Sequence, residues 1–466
     1  MSKPWAVILA AGEGTRMKSA IPKVLHRICG QPMIRYVTEA VAPLVEEQLV
    51  VIGHGGELVQ SELGDAVSYA WQKQQLGTGH ALMQSLSLLP ARGETLVLCG
   101  DTPLLRTATL QELIRQKRES DAVILTAEPP ETEGYGRIVR NSKGEVLRIV
   151  EEKEADPAEK KIGEVNTGCY IFSNELLHQY LPLLDNNNAK GEYYLTDLIM
   201  LLVDRGYKVT ACRLEDYREA QGVNDRLQLS FAAGIVRKRI NEKLMKEGVT
   251  IIDPESTYID LGVEIGADTT IYPQTVIEGK SKLGSGCVVG PAAHLMDALL
   301  EDNVVCRASV LWECSVASGA QIGPFAYLRP GTKIGPGVKI GDFVEIKNSY
   351  IGDNSKVPHL AYVGDATVGP GVNLGAGTIV VNYDGRKKHR TIIEEGAFVG
   401  CNSNLIAPLT VGRGSFIAAG STVTRDVPPE ALLLARTPEE IKKGVAPYLL
   451  GNKSKKEKEK KKEKGV

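Results

Sequence analysis

The sequence IGPGVKIGDFVEIK, residues 334–347, places an isoleucine at every sixth position. This spacing fits neither the 3.6-residue period of a helix nor the alternation of a plain strand. It is typical of a hexapeptide solenoid, in which each hexad forms one flat side of a triangular coil. We expect about 18 residues per coil, parallel strands about 4.8 Å apart, inward aliphatic side chains, and Gly or Asn at the corners.

The six-residue spacing recurs through most of the chain after residue 250. It relates Ile265, Ile271, Ile277, Leu283, Val289 and Leu295; Ile322, Leu328, Ile334, Ile340 and Ile346; Ile351, Val357 and Val363; and Val399, Leu405, Val411, Ile417 and Val423. Three stretches interrupt it: residues 297–320, residues 379–395 and the tail after Asp426. We expect these to be loops inserted into the solenoid, where functional residues tend to lie.

Residues 1–225 follow a different pattern, in which short apolar runs alternate with longer amphipathic segments. The apolar runs predict buried strands at residues 6–9, 48–52, 95–98, 122–125 and 169–172. Helical spacing covers residues 34–42, 76–86 and 108–117. The alternation predicts an α/β domain around a parallel sheet, and residues 226–247 predict a long helix that serves as a spacer.

The composition excludes several classes of protein. The 466 residues carry a net charge of −2, which argues against a globally basic nucleic-acid binder. No apolar run approaches the length of about 18 residues needed to span a membrane. The eight cysteines form no C-x-x-C pair, so we expect reduced thiols in a cytoplasmic protein. The last fourteen residues form a Lys/Glu tail that we expect to be disordered.

The first predicted strand runs into the loop AAGEGTRM, residues 10–17. Small residues after a buried strand let backbone N–H groups approach phosphate oxygens, and Arg16 and Lys23 supply cations. A dinucleotide fingerprint would need a third Gly where Met17 stands. The loop therefore favours a nucleoside triphosphate, with an ordinary turn bearing surface cations as the alternative.

A second site element is LCGDTP, residues 98–103, in which an apolar strand ends in Asp101. The carboxyl ends of strands are where α/β folds bind ligands. A carboxylate there suits Mg²⁺ that bridges triphosphate oxygens. The alternative is an aspartate that caps the following helix.

The solenoid carries a set of polar residues between positions 329 and 383. His359 could act as a general base, because an imidazole ordinarily titrates near neutrality. Arg329 and Lys347 could bind a phosphate. A structural histidine is the alternative interpretation of His359.

Residues 9–17 (LAAGEGTRM) with Pro22 and Lys23 are similar to the signature of sugar-phosphate nucleotidyltransferases. Together with the solenoid, residues 3–450 resemble the bacterial bifunctional family that acts as N-acetylglucosamine-1-phosphate uridylyltransferase and glucosamine-1-phosphate N-acetyltransferase. Further matches are Gln72, QLGTGH at 75–80, YGR at 135–137, Glu151, NTG at 166–168 and GVN at 222–224. The family usually has Tyr where Cys99 stands and Ser where Cys401 stands.

The resemblance implies a role for each matching residue. The UDP-N-acetylglucosamine site would comprise Leu9, Ala10, Ala11, Gly12, Lys23, Gln72, Gly77, Thr78, Gly136, Glu151, Asn166 and Asn224. Arg16 and Lys23 would be catalytic for uridylyl transfer, and Asp101 and Asn224 would bind Mg²⁺. His359 would be the base of acetyl transfer, with glucosamine-1-phosphate on Arg329, Lys347, Tyr362 and Asn373. Acetyl-CoA would meet Ala376, Asn382, Tyr383, Cys401, Ala419 and Arg436.

The resemblance also implies an architecture and a place in metabolism. It implies a uridylyltransferase domain with a Rossmann-like α/β fold at residues 1–226, a linker helix at 227–247, and a left-handed parallel β-helix acetyltransferase domain at 248–452, followed by the tail at 453–466. The partners would be glucosamine-1-phosphate, N-acetylglucosamine-1-phosphate, UTP and acetyl-CoA, in a cytoplasmic homotrimer. The product, UDP-N-acetylglucosamine, would supply peptidoglycan and lipopolysaccharide synthesis.

Three alternatives stay open at this point. A nucleotidyltransferase with a regulatory solenoid, such as an ADP-glucose pyrophosphorylase, would not need His359 and its polar neighbours. A non-catalytic scaffold on the same folds would be expected to lose Lys23 or Asp101. A covalent acetyl-Cys401 intermediate is an alternative mechanism for acetyl transfer.

Overall fold

The structure is a computed structural model that describes residues 3–188 and 190–450. The predicted disordered tail at 453–466 lies outside the described residues. The chain divides into two compact units, and the boundary falls after Lys282, with Leu295–Asp297 grouped with the first unit. The sequence pattern instead divided the chain near residue 248, at the start of the repeats.

The N-terminal part of the first unit is a mixed α/β fold. Its helices are α1 (Met33–Val41), α2 (Gly56–Leu63), α3 (Thr78–Met83), α4 (Thr107–Lys117), α5 (Asn174–Tyr180), α6 (Leu195–Asp204) and α7 (Arg226–Lys246). Its strands are β1 (Trp5–Ala10), β2 (Arg27–Ile28), β3 (Gln31–Pro32), β4 (Gln48–Ile52), β5 (Ser68–Trp71), β6 (Glu94–Cys99), β7 (Ala122–Ala127), β8 (Arg137–Arg140), β9 (Val146–Val150), β10 (Val165–Ser173) and β11 (Val209–Arg213).

The central sheet has the strand order β11-β7-β10-β6-β1-β4-β5, with β8 and β9 attached beside β10. Strand β1 runs parallel to β4 and β6, as predicted. The prediction of an all-parallel sheet was wrong for β10, which is antiparallel to both β6 and β7. The chain reaches β10 through the β8–β9 hairpin and not through a crossover helix, so nothing forces a parallel return.

The sheet is buried on both faces, which explains its continuous apolar runs. All six residues of β7 are buried, as are Ala6, Val7 and Ile8 of β1. Alternate residues of each strand join two separate apolar clusters, one on each face of the sheet. This rigid layer fixes the carboxyl ends of β1 and β6, where the predicted nucleotide loop begins.

Helix α7 occupies the position of the predicted long helix. Asp225 caps its first turn by accepting a hydrogen bond from the backbone N–H of Gln228, 2.9 Å away. The buried Asn241 donates from Nδ2 to the carbonyl oxygens of Pro254 and Thr257, at 3.0 and 3.3 Å. These contacts tie the first coil to the helix, so the compact unit extends past residue 248.

The repeat region consists of short strands. They are β12 (Thr250–Ile251), β13 (Tyr258–Ile259), β14 (Glu264–Ile265), β15 (Thr270–Ile271), β16 (Val276–Glu278), β17 (Lys282–Leu283), β18 (Val288–Val289), β19 (His294–Met296), β20 (Leu299–Leu300), β21 (Val305–Cys306), β22 (Val310–Trp312), β23 (Ser315–Val316), β24 (Gln321–Ile322) and β25 (Tyr327–Leu328). They continue as β26 (Lys333–Ile334), β27 (Lys339–Lys347), β28 (Tyr350–Ile351), β29 (Lys356–Gly364), β30 (Ala366–Val368), β31 (Asn373–Leu374), β32 (Ile379–Val381), β33 (Thr391–Ile393), β34 (Phe398–Val399), β35 (Asn404–Ile406), β36 (Leu409–Val411), β37 (Phe416–Ile417), β38 (Thr422–Val423) and β39 (Leu432–Leu433). A short helix, α8 (Ala446–Leu449), follows.

The stacked-coil prediction is confirmed by the register of these strands. Tyr327 lies opposite Glu345 on the next coil, and Glu345 lies opposite Tyr362 on the coil after that. Every aliphatic residue of the predicted six-residue series is buried except Ile265, which is half-buried. Corner residues such as Asn354 and Asn402 adopt positive φ angles of 58° and 55°, as expected where the chain turns.

The three predicted interruptions have different outcomes. Residues 297–320 are not an inserted loop, because Leu299 pairs with Ser315 and Val305 with Gln321 in coils that are shorter than the later ones. Residues 379–395 do contain an insertion, because the chain between the paired residues Asn373 and Phe398 is longer than in the other coils. After Asp426 the solenoid continues for one more strand, since Phe416 pairs with Leu432.

Candidate active sites

A cleft of about 360 Å³ opens at the carboxyl ends of β1 and β6. It is lined by residues from six separate segments: Leu9, Ala10, Ala11, Gly12, Lys23, Val24, Gln72, Gln75, Gly77, Thr78, Ala81, Cys99, Asp101, Glu151, Lys190, Glu192 and Tyr194. Most of the predicted nucleotide and sugar residues therefore lie on one cavity.

Gly12 forms the floor of this cleft where the backbone leaves β1. A Cβ atom built on Gly12 would meet no atom within 4 Å. The backbone needs no glycine for its conformation there, because the φ angle of Gly12 is not positive. The missing side chain therefore leaves room for a ligand to approach the backbone, as a phosphate or a uracil ring requires.

Gln72 holds the opposite wall of the cleft together. It is buried, and its Nε2 donates to the carbonyl oxygen of Gly77 at 3.1 Å and lies 3.0 Å from Nδ1 of His80. Gly77 has a φ angle of 102°, and a Cβ there would lie 2.6 Å from the carbonyl oxygen of Tyr193. The turn that presents Thr78 at the start of α3 therefore depends on glycine.

Lys23 brings the two predicted metal ligands together. Its ammonium forms a short ion pair with Asp101 and donates to Oδ1 of Asn224 at 3.0 Å. All three side chains come from distant parts of the sequence. A carboxylate oxygen and an amide oxygen thus converge on one cationic group, which is the donor chemistry that Mg²⁺ prefers.

Arg16 lies on the far side of this cluster. It belongs to the short 3₁₀ turn Thr15–Met17 and is exposed. It lines a smaller cavity of about 210 Å³ together with Asp101 and Asn224. The two cavities share Cys99 and Asp101, so the two predicted catalytic cations flank the same carboxylate.

The predicted sugar-binding residues lie on the adjoining strands. The backbone N–H of Asn166 donates to the carbonyl oxygen of Gly136 at 2.8 Å, which places these two residues side by side. Burial raises the pKa of Glu151. Its Oε1 accepts a hydrogen bond from Thr196 Oγ1 at 3.2 Å. Glu151 lines the main cleft and Asn166 does not.

Cys99 lies at the end of β6, between the two cavities. Its thiol donates to the carbonyl oxygen of Gly168, with 3.6 Å between sulfur and oxygen. Burial, helped by the nearby Asp101 carboxylate, raises the pKa of the Cys99 thiol well above its ordinary value. The Cys99 thiol is therefore uncharged and forms part of the lining of both cavities.

Part of the cleft wall was not predicted from the sequence, namely Lys190, Glu192 and Tyr194. These residues belong to a loop between the 3₁₀ turn Leu181–Leu183 and α6, with no apolar period and no motif with a known spacing. The backbone N–H of Tyr193 donates to the carbonyl oxygen of Leu76 at 2.8 Å and anchors the loop. An available signal was the run GEYY at residues 191–194, which is polar and aromatic immediately before a helix.

The predicted acetyltransfer base, His359, lies on β29 opposite Asp342 of β27. Its Nδ1 is 2.5 Å from Oδ1 of Asp342. Both side chains are partly exposed, at 59% for His359 and 39% for Asp342. Asp342 was not predicted from the sequence.

The predicted phosphate-binding cations have acidic partners on neighbouring coils. Arg329 Nη1 lies 2.7 Å from Oε1 of Glu345, and Lys347 Nζ lies 3.6 Å from Oδ2 of Asp365. A further cation that the sequence analysis missed, Lys388, lies close to Lys347. The neighbouring Lys347 ammonium lowers the pKa of Lys388.

The insertion in the solenoid carries Lys388 back towards the coil. Tyr383 and Lys388 form an isolated antiparallel bridge, so residues 383–388 turn as a small hairpin. Asn382, just before it, donates from Nδ2 to Oδ2 of Asp365 at 2.6 Å. The same Nδ2 lies 3.5 Å from the Tyr362 hydroxyl. The structure thus places Tyr362 beside Asn382, whereas Asn373 lies on the neighbouring strand β31.

The predicted coenzyme residues form a column along one corner of the solenoid. Asn402 donates its N–H to the carbonyl oxygen of Ala376 at 2.7 Å, which places Cys401 one coil beyond Ala376. Gly420 donates in the same way to Cys401 at 2.8 Å, so Ala419 lies one coil further on. Arg436 Nη1 donates to the carbonyl oxygen of Ala419 at 3.3 Å.

No group of three or more His, Cys, Asp or Glu side chains in the described part of the chain has the geometry of a metal site. Within the same residues, every helix is too short or too polar to cross a bilayer.

The chain was compared with protein-family models. Residues 6–169 match the model described as a MobA-like NTP transferase domain. Residues 313–348 match the model for bacterial transferase hexapeptides, which comprises six repeats. The two matches lie in the α/β part and in the solenoid, respectively.

Curated relatives match nearly the whole chain. The Bifunctional protein GlmU of Exiguobacterium sp. is 50% identical over 444 residues, which cover 94% of this chain and 98% of the relative. That of Halalkalibacterium halodurans is 51% identical over 440 residues, covering 94% and 97%. That of Acetivibrio thermocellus is 52% identical over 441 residues, covering 94% and 96%.

Proposed function

The chain belongs to the GlmU family of bifunctional proteins, and from this premise we propose which residues carry out each of its two reactions. It is a nucleotidyltransferase and a hexapeptide acetyltransferase in the synthesis of UDP-N-acetylglucosamine. Acetyl-CoA acetylates glucosamine-1-phosphate, and UMP then passes from UTP to N-acetylglucosamine-1-phosphate with release of pyrophosphate. The observation that carries the assignment is the convergence of Lys23, Asp101 and Asn224 on the cleft that Gly12 leaves open.

Uridylyl transfer needs no protein nucleophile. A phosphate oxygen of N-acetylglucosamine-1-phosphate attacks the α-phosphorus of UTP in line, and the bond to the pyrophosphate oxygen breaks. Lys23 and Arg16 lie on either side of Asp101 and supply positive charge to the triphosphate and the departing pyrophosphate. Leu9 to Gly12, Gln72, Gly77 and Thr78 form the wall for the uridine and its phosphates.

The sugar end of the cleft positions the attacking substrate. Glu151, Gly136 and Asn166 would hold the N-acetylglucosamine group, with Asn224 beside the phosphate. A carboxyl group with a raised pKa in a buried setting can share a hydrogen bond with a sugar hydroxyl at low desolvation cost. These assignments rest on the family motif, on the position of Glu151 in the main cleft, and on the hydrogen bond that places Gly136 beside Asn166.

Asp101 and Asn224 fit a divalent cation, because their oxygens already face one cationic group. We propose that these two residues hold Mg²⁺ together with the triphosphate. When bound there, the metal neutralises phosphate charge and polarises the phosphoryl group under attack. The protein contributes the fixed distance between the two oxygens, which come from the end of β6 and the loop before α7.

Acetyl transfer takes place on the solenoid. His359 removes the proton from the ammonium of glucosamine-1-phosphate, and the amine nitrogen attacks the thioester carbon of acetyl-CoA. The carbon–sulfur bond breaks, the nitrogen loses its second proton to the leaving thiolate, and the imidazolium of His359 returns the first proton to solvent. Arg329, Lys347, Tyr362 and Asn373 bind the sugar phosphate. The coenzyme lies along the column of Ala376, Cys401, Ala419 and Arg436, next to Asn382 and Tyr383.

The acetyltransfer site is proposed to be completed in a homotrimer. Phe325 and Phe343 stack with ring centroids 5.5 Å apart and are each 60% exposed, and Leu360 is 62% exposed. Phe343 and Leu360 directly follow Asp342 and His359 in sequence. An exposed apolar column of this kind suits burial against a second copy of the chain.

The remaining assignments rest on the sequence pattern and on the family to which the chain belongs. Residues 1–226 are proposed as the uridylyltransferase domain, 227–247 as the linker helix and 248–452 as the acetyltransferase domain. Both steps are assigned to the cytoplasm. Buried cysteines such as Cys169 and Cys306 are thiols and not disulfides, as is common in a reducing compartment.

The test is to incubate the purified protein with glucosamine-1-phosphate, acetyl-CoA, UTP and Mg²⁺ and to identify products by mass. UDP-N-acetylglucosamine is expected, and omission of UTP should leave N-acetylglucosamine-1-phosphate. A chelator should stop the uridylyl step and leave the acetyl step intact. An acetyl step equally sensitive to chelation would contradict the proposed division.

A further inference from the structure

The pair formed by Asp342 and His359 lies in the longest ladder of the solenoid. Strands β27 and β29 are nine residues each, whereas most strands of the repeat contain two or three. They pair from Lys339 opposite Lys356 to Lys347 opposite Gly364. The backbone on both sides of the pair is therefore fixed by parallel hydrogen bonds, which limits the positions that the two side chains can take.

The contact has the geometry of an oriented imidazole. Oδ1 of Asp342 lies 2.5 Å from Nδ1 of His359, and the two residues are direct partners in the ladder. An ionised carboxylate can only accept a hydrogen bond, so Nδ1 carries the hydrogen in the pair. The other ring nitrogen, Nε2, is then left as the acceptor that can take a proton from a substrate.

Two other charged groups on β27 have partners elsewhere, and two lysines lie opposite each other at the start of the ladder. On β27, Glu345 contacts Arg329 and Lys347 contacts Asp365, while Lys339 lies three residues before Asp342, opposite Lys356 of β29. The other strands that pair with β29 contain no ionisable residue: β31 is Asn-Leu and β32 is Ile-Val-Val. Asp342 is therefore the carboxylate that faces the imidazole.

We propose that Asp342 is a positioning residue for acetyl transfer, which fixes the tautomer of His359 and stabilises the imidazolium formed when Nε2 takes the substrate proton. The inference rests on the proposed role of His359 as the base. Asp342 does not itself exchange a proton in the step. Nε2 takes one proton from the sugar ammonium and later releases it to solvent. The second proton, which the nitrogen loses as the amide forms, goes to the thiolate of coenzyme A, so charge and atoms balance.

A further observation agrees with this role. The adjacent imidazole of His359 holds the pKa of Asp342 below its ordinary value, so the carboxylate stays ionised at the pH where the base works. An ionised partner favours the protonated imidazole and helps the ring to accept the proton. A neutral side chain of the same shape would keep the hydrogen bond and lose this help.

The test compares Asp342→Asn with the unchanged protein in acetyl transfer alone. Asparagine keeps an oxygen acceptor at the same place and removes the charge. We expect kcat to fall by about 10- to 100-fold with KM for glucosamine-1-phosphate within about twofold, and the acidic limb of the pH–rate profile to move to lower pH. Uridylyl transfer and the melting temperature should stay unchanged, which shows that the variant is folded.

The matched control is Asp268→Asn, an exposed coil-corner residue with the same change of charge. It should alter neither kcat nor the pH profile. An Asp342→Asn enzyme with an unchanged kcat and an unchanged acidic limb would overturn the inference. Failure of the proposed function would look different: His359→Ala would then retain full acetyl transfer, whatever the result for Asp342.

Discussion

The ammonium of Lys23 contacts the carboxylate of Asp101, although 78 residues separate them in the sequence. The pair exists because β1 and β6 are neighbours in the sheet and both end at the same cleft. Asn224 completes the arrangement as a second acceptor for the same ammonium, at 3.0 Å. A cation therefore already occupies the point between the two oxygens that would hold Mg²⁺.

Substitution of Asp101 by Ala should abolish uridylyl transfer and spare acetyl transfer. The change removes the proposed metal ligand and leaves Lys23 without its ion partner. We expect kcat for UDP-N-acetylglucosamine formation to fall by about 1,000-fold, which corresponds to about 4 kcal/mol. A coupled assay for pyrophosphate measures this step. Acetyl transfer should remain within about twofold, and a folded variant that loses both steps would contradict the assignment.

Substitution of Gly12 by Ala should weaken UTP binding without unfolding the protein. The new methyl group enters the space of the cleft, since it meets no protein atom within 4 Å. We expect KM for UTP to rise by about tenfold, in line with a steric cost of about 1–2 kcal/mol. Steady-state kinetics and a thermal melt would measure the two effects.

The contrasting variant for this prediction is Gly77→Ala. Its φ angle of 102° and a clash with the carbonyl oxygen of Tyr193, 2.6 Å from the new Cβ, oppose any side chain. This variant should melt at a lower temperature, whereas Gly12→Ala should not. If the two variants melted at the same temperature and Gly12→Ala left KM for UTP unchanged, this would argue against nucleotide contact at the backbone of Gly12.

Substitution of Lys388 by Ala should raise KM for glucosamine-1-phosphate. The ammonium groups of Lys388 and Lys347 lie close together and repel each other, as the lowered pKa of Lys388 reflects, and a phosphate dianion between them would relieve that repulsion. We expect KM to rise by about tenfold with kcat little changed. The neighbouring Lys387→Ala removes the same charge from the same hairpin. Equal effects of the two variants would indicate general attraction and not a defined contact.

Substitution of Asp197 by Asn should stabilise the protein in a pH-dependent way. Burial, with the nearby carboxylates of Glu154 and Glu151, raises the pKa of Asp197 to about 6. The folded state therefore binds this proton more tightly than the unfolded chain, and the free energy of unfolding decreases as pH rises from about 4 to about 6. Asparagine cannot ionise, so the variant does not lose this stability as pH rises. We expect a gain of about 1 kcal/mol at pH 7.5, discounted because the side chain is only half-buried, and none near pH 4.

Thermal melts at the two pH values would measure this difference. The control is Glu175→Gln, an exposed acid in the first turn of α5, which should not stabilise the protein at either pH. A shift in melting temperature of the same size at pH 4 and pH 7.5 would refute the link to the protonation of Asp197.

The fold could be predicted where the same type of residue recurs at equivalent structural positions. The six-residue series predicted the inner face of the solenoid because each aliphatic residue sits at an equivalent place in its coil. Between 297 and 320 the prediction was wrong because the inner column continues through Leu300, Cys306, Leu311 and Val316 with some steps of five. A coil tolerates one missing residue per side, and a cysteine can replace an aliphatic residue.

Strand direction and long-range partners were beyond the sequence pattern. The apolar run that becomes β10 looks the same whether it runs parallel or antiparallel to β6. The position of Asp101 at the cleft could be predicted, because an acid at the end of a buried strand can be recognised from neighbouring residues alone. Asp342 and Lys388 could not, because their contacts depend on the coil register and on the length of the insertion.

The claim that one chain holds two separate active sites is tested most directly by assaying both half-reactions in His359→Ala. The account predicts no detectable acetylation of glucosamine-1-phosphate, with conversion of supplied N-acetylglucosamine-1-phosphate and UTP to UDP-N-acetylglucosamine within about twofold of the unchanged protein. A folded His359→Ala protein that still acetylates the amino sugar, or that has lost the uridylyl step as well, would contradict it.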